Sequence, residues 1–146
     1  MKKAVLIGAL VLSVLTVFAC KSSPKPKSAE DEFEDLYARY YDDLVLEGAE
    51  TYTVVKGDTL SHIAAESKYR SGFYYPIIML ASRDVVADID RIEPGMKLIM
   101  PNLQKNLDDP RARASIKQFL LDVAEIEDDR NRHQTAKGLR KLSDSL

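Results

Sequence analysis

From residue 30 to residue 47 the apolar positions Phe33, Leu36, Tyr37, Tyr40, Tyr41 and Leu44 recur at spacings of three and four, which predicts an amphipathic helix closed by Gly48. Asp31, Glu32, Glu34 and Asp35 crowd its first turns, where the helix dipole favours negative charge. At this spacing the tyrosine stripe reads as a packing face before it reads as a carbohydrate platform. The same rhythm returns after Asp108-Asp109-Pro110, where an acidic cap and a proline precede Ile116, Phe119, Leu120, Val123 and Ile126 on one face. Beyond Glu127 the polar run DDRNRHQ, which contains His133, and then Gly138 break the pattern, so the end of the chain is expected to be frayed or a separate short helix.

The middle has a different period. Tyr52-Thr53-Val54-Val55 is β-branched and reads as a strand, Lys56-Gly57-Asp58-Thr59 supplies a turn and a cap, and Leu60, Ile63 and Ala64 form the inner face of a helix. Residues 74–81 (YYPIIMLA) read as a second helix with Pro76 in its first turn. Ile92-Glu93-Pro94-Gly95 makes a turn, and residues 96–100 form a strand stopped by Pro101. The expected fold is α+β: a βααβ unit whose two strands lie antiparallel with both helices on one face, flanked by amphipathic helices. Isolated helices of under about twenty residues are marginal, so the two flanking stripes need each other, the middle unit or another protein as partner.

Composition narrows the function. The chain has 146 residues, a net charge of −2 and 30% charged residues, which suits one compact domain with additions. A weakly acidic chain without tryptophan lacks the positive field that nucleic acid selects. One cysteine and two distant histidines, His62 and His133, offer neither a disulfide nor a conventional metal site, and no cofactor motif is present. Ser61 and His62 are neighbours and point about 100° apart on a helix, without a nucleophile elbow. Glu66, Asp84, Asp88 and Asp90 are carboxylates that so charged a surface produces by coincidence, and about fifty residues hold no deep cleft. The expectation is a protein without catalysis.

Residues 1–19 have a signal-peptide shape: Lys2-Lys3, then an apolar run over 4–19 broken only by Ser13 and Thr16. As a helix that run spans about 24 Å, short of the roughly 30 Å hydrocarbon core. Val17 and Ala19 before the sole cysteine resemble a bacterial lipobox, from which Phe18 departs where a small residue is usual; the resemblance implies cleavage before Cys20 and diacylation of that residue as a membrane anchor. Residues 21–29 (KSSPKPKSA) cannot bury apolar surface and read as a tether of up to about 28 Å. By analogy with sorting signals, Lys21 rather than aspartate after the cysteine favours the outer membrane in a cell that has one.

YTVVKGDTLSHIA at 52–64 and IEPGMKLIMP at 92–101, with YYPIIMLASRD at 74–84 between them, resemble the LysM domain. The resemblance covers 52–101, within a unit bounded at 51–102, and implies a fold that binds N-acetylglucosamine glycans, chiefly peptidoglycan, without catalysis. Ser82 stands where the family usually has asparagine, Tyr75 where this variety tends to have tryptophan, and Met96 where glutamine is common. The implied groove lies between Gly57, Asp58, Thr59 and Leu60 on one side and Ile92, Glu93, Pro94, Gly95 and Met96 on the other. Each residue has a bland role as well: turn glycines at Gly57 and Gly95, caps at Asp58 or Thr59, core at Leu60 and Ile92. The expected protein is an envelope lipoprotein facing the periplasm that ties membrane to wall. The alternative is an assembly protein whose flanking helices, 30–48 and 109–146, recruit a partner such as a cell-wall hydrolase.

Overall fold

The computed structural model describes residues 29–146; the expected signal segment, Cys20 and most of the tether lie outside the described residues. Helix α1 (Ala29–Tyr40) buries Phe33, Leu36 and Tyr37 as the stripe requires. It ends earlier than the expected residue 47: a 3-10 turn (Tyr41–Asp43) follows, and Leu44 is extended. Two acidic residues, Asp42 and Asp43, disfavour a helix C-terminus. Asp43 is also drawn aside, accepting from Ser115 Oγ at 2.8 Å and pairing with Arg111 at 2.6 Å.

Strand β1 (Glu50–Thr53) pairs antiparallel with β2 (Lys97–Met100), with Glu50 opposite Met100 and Thr53 opposite Lys97. The first strand therefore begins and ends two residues before the expected 52–55. Val54 and Val55 leave the ladder because Val54 instead clasps the turn opposite, as described below. Between the strands lie α2 (Leu60–Glu66), with Leu60, Ile63 and Ala64 buried as expected, and α3 (Tyr75–Ala81), entered through a 3-10 turn (Gly72–Tyr74). Every residue of α3 is buried; it packs on β2, on α2 and on the C-terminal part of the chain. At its end Ser82 Oγ accepts from Ile99 N–H at 2.8 Å, fastening α3 to β2. This is the expected α+β arrangement, with a two-stranded antiparallel sheet and two helices between the strands.

Helix α4 (Leu103–Asp108) was not expected from the sequence; Asn102 caps it, accepting from Lys105 N–H at 3.1 Å. Asp109 then caps α5 (Pro110–Asp129) through the N–H groups of Arg111 and Ala112, and Pro110 occupies the first turn, as its sequence predicts. The terminal segment is a full helix, α6 (His133–Ser145), folded back on α5 so that Ser143 Oγ donates to the Lys117 carbonyl at 3.0 Å. Gly138 is a notch in α6: a Cβ there would lie 2.1 Å from the Phe73 ring. The apolar stripes of α1 and α5 meet the middle unit in one core, in which Phe33, Leu36, Ile77, Leu98, Phe119, Val123 and Leu139 all belong to the same buried cluster. The tyrosines of α1 pack, with Tyr37 donating to the Val86 carbonyl at 2.9 Å and Tyr40 to Asp122 at 2.7 Å.

Candidate functional site

The two expected loops are held together through one residue. Val54 N–H donates to the Met96 carbonyl at 2.9 Å, and Gly95 N–H donates to the Val54 carbonyl at 2.8 Å, so the turn before β2 is clasped to the turn after β1. Gly57 and Gly95 both adopt positive φ, 97° and 94°, which side chains of the L series rarely tolerate. A Cβ at either would meet nothing within 4 Å, so conformation rather than crowding calls for glycine, and the backbone faces there stay open. Asp58 Oδ2 accepts from Val55 N–H at 2.8 Å and from the Tyr52 hydroxyl at 3.0 Å, and the second bond holds the half-buried tyrosine's phenol above its ordinary range. Thr59 caps α2 by accepting from His62 N–H, and Leu60 is core. Glu93, Pro94 and Gly95 are exposed, Ile92 and Met96 partly so.

A cavity of about 220 Å³ opens between these loops. Of the expected residues, Asp58, Thr59, Leu60 and Ile92 line it, joined by Ser61, Tyr75, Ile89 and Asp90. Gly57, Glu93, Pro94, Gly95 and Met96 are not in the lining; they form the turns beside it. The remaining wall is Glu127, Arg132 and Thr135 from the α5–α6 hairpin. A larger cavity, about 650 Å³, is lined by residues such as Glu50, Tyr52, Lys68, Tyr69, Met100 and Leu107 and includes none of the expected loop residues.

Residues 52–101 are a LysM domain. The match runs from β1 to the residue after β2 and covers about a third of the 146-residue chain. A LysM domain implies general binding of peptidoglycan or other N-acetylglucosamine glycans, and such domains are typical of cell-envelope proteins. No curated protein and no solved structure matches the chain. Among the described residues there is no helix long and apolar enough to cross a membrane and no cluster of three or more potential metal ligands.

What the hairpin adds to the LysM domain is charge. Glu127 is fully buried, and its carboxyl is raised above the ordinary 4.5, chiefly by that burial and against the pull of Arg132. Arg132 Nη1 stops 3.6 Å from Glu127 and its guanidinium is bonded to Asp90, which holds its charge more firmly than usual. The Tyr75 hydroxyl, also raised first by burial and then by the charge of Glu127 and a weak hydrogen-bonding contact with it, lies beside that carboxylate in a geometry short of a full hydrogen bond. Sequence reasoning ended the apolar stripe at Ile126 and gave Glu127 no role. The signal was the stripe itself: Glu127 comes four residues after Val123, at the next inward position.

A raised carboxyl in the folded state has a definite consequence for stability. The folded protein holds the Glu127 proton more tightly than the unfolded chain, so the favourable contribution is complete below about pH 4.5 and is lost as pH rises through the folded value. Glu127→Gln, which stays neutral, is therefore expected to gain stability relative to the parent as pH rises from 4 to 8. Urea unfolding of both proteins across that range checks it, and a difference independent of pH would contradict it.

Proposed function

We propose that this chain is a non-catalytic envelope lipoprotein that holds peptidoglycan, or another N-acetylglucosamine glycan, in the LysM groove while lipid on Cys20 holds a membrane. The observation that carries the reading is the pair of loops clasped at Val54 around a cavity, with two glycine backbones left open beside it. Glycine backbone that no side chain covers, beside the half-buried Ile92, suits a neutral sugar, which offers an apolar ring face and an acetyl methyl together with hydroxyl and amide groups. One shallow groove binds weakly, but confinement beside the wall raises the effective concentration, so two weak attachments act as a firm one. The anchor rests on the sequence of residues 1–29, and the protein then faces the periplasm, on the outer membrane where the cell has one. The adaptor reading draws no support from the apolar stripes of α1 and α5, because both are spent inside the chain.

Co-sedimentation of the full chain, solubilised in detergent, with isolated sacculi tests the reading. Pelleting is expected, with competition by N-acetylglucosamine oligomers and without release of soluble muropeptides. Asp58→Ala removes the acceptor that holds Val55 N–H and the Tyr52 hydroxyl, and is expected to weaken pelleting about tenfold, the scale of one or two lost hydrogen bonds. Failure of the folded parent to pellet overturns the reading.

A further inference from the structure

The hairpin wall of the cavity lies outside residues 52–101, and it carries buried carboxylate oxygens whose hydrogen bonding is incomplete. Among the described residues, neither carboxylate oxygen of Glu127 nor the Tyr75 hydroxyl completes a hydrogen bond of full geometry; the two groups, 0% and 1% exposed, have chiefly each other's weak contact. A buried carboxylate or hydroxyl left in that state is costly. Arg132 relieves it only in part: Nη1 faces Glu127 at 3.6 Å, an ion pair beyond hydrogen-bond reach, while Nη2 is bonded to Asp90. Both orphaned side chains line the cavity together with Ser61 and Thr135, whose hydroxyls both donate and accept. At about 220 Å³ the cavity has room for several waters, and so for a small polar ligand in their place. A pyranose carries hydroxyl donors suited to a carboxylate and oxygen acceptors suited to a phenol.

We propose that Tyr75 and Glu127, with Arg132 beside them, form a buried polar subsite for one N-acetylhexosamine unit, so that the C-terminal hairpin is part of the sugar groove. The inference rests on the glycan-binding reading above. A sugar hydroxyl donates to the Glu127 carboxylate, and the Tyr75 hydroxyl donates to a ring or acetamido oxygen. The hairpin then sets which sugar face and which substituents the groove accepts, a selection the two loops alone do not make.

Affinity and stability respond differently here than in a purely structural contact. Tyr75→Phe removes a hydroxyl that completes no hydrogen bond of full geometry, so the melting temperature is expected to hold or rise while affinity for the N-acetylglucosamine tetramer falls about tenfold. Glu127→Gln keeps the shape and is expected to weaken binding similarly. If the two groups serve only to pin the hairpin to α3, both variants melt lower and bind as the parent does. Calorimetric titration of the full chain in detergent with the tetramer, beside a melting curve, is run for the parent, both variants and Asp58→Ala. Weaker binding with the melting temperature held or raised in both variants supports the subsite. Parental affinity in both, or weaker binding that tracks a lower melting temperature, overturns it and leaves binding by the loops standing. No binding by the parent overturns the glycan-binding reading, and the subsite with it.

Discussion

Phe119→Ala is expected to lower the unfolding free energy by about 3–5 kcal/mol, the range for removing a buried aromatic ring and leaving a cavity. Phe119 is fully buried in α5, its ring centroid is 5.4 Å from that of Tyr40, and it belongs to the cluster that also holds Ile77 of α3 and Leu98 of β2. Against a typical total of about 5–15 kcal/mol, the loss is a large share of what holds the chain folded. Urea denaturation read by circular dichroism measures it. Because α1, the LysM domain and the hairpin share one core, the whole transition should move to lower urea as a single step. A separate early step confined to helical signal, with the rest unchanged, would show that α5 is peripheral to the LysM domain.

Asn106→Leu is expected to cost about 2–4 kcal/mol. Asn106 is fully buried at the end of α4, where its side chain accepts from Val45 N–H at 2.8 Å and donates to the carbonyls of Val45 at 2.8 Å and Asn102 at 3.0 Å. It thus stands in for a missing strand partner and satisfies both backbone groups of a half-buried residue in the link from α1 to β1. Leucine removes those bonds and leaves the Val45 groups unpaired at about 1–3 kcal/mol each, somewhat less where water reaches them. Thermal unfolding measures the loss, and hydrogen exchange localises it: the Val45 amide should lose its protection while the amides of β1 keep theirs. Unchanged exchange at Val45 would mean that the asparagine does not carry this connection.

The unit from β1 to β2 was legible because its signals are local. Thr59 is a cap that needs only the next turn, Leu60, Ile63 and Ala64 share a helical face, and Pro101 ends a strand by lacking a donor. The stripes of α1 and α5 were legible for the same reason. What escaped depends on residues far apart in the chain. Residues 102–108 carry no clear apolar period, and the sense of Asn106 comes from Val45, sixty-one positions earlier. Gly138 reads as a helix breaker, whereas its lack of a side chain makes room for the ring of Phe73. Glu127 reads as the last residue before a polar run until the hairpin turns it against Tyr75. The candidate site divides similarly: its loop half follows from turn chemistry, and its hairpin half exists only once α6 has folded back.

The complete burial of α3 bears on how portable the sugar-binding module is. A helix covered on every side has a flank for β2 and α2 and another for α5, and the second lies beyond the family boundary at residue 101. Excised at that boundary, the module would present a fresh apolar surface to water and to other copies of itself, the kind of patch that drives self-association. Grafted as a carbohydrate-binding tag, it has to travel with α5 and α6: in this chain the smallest transferable part is longer than the domain it contains.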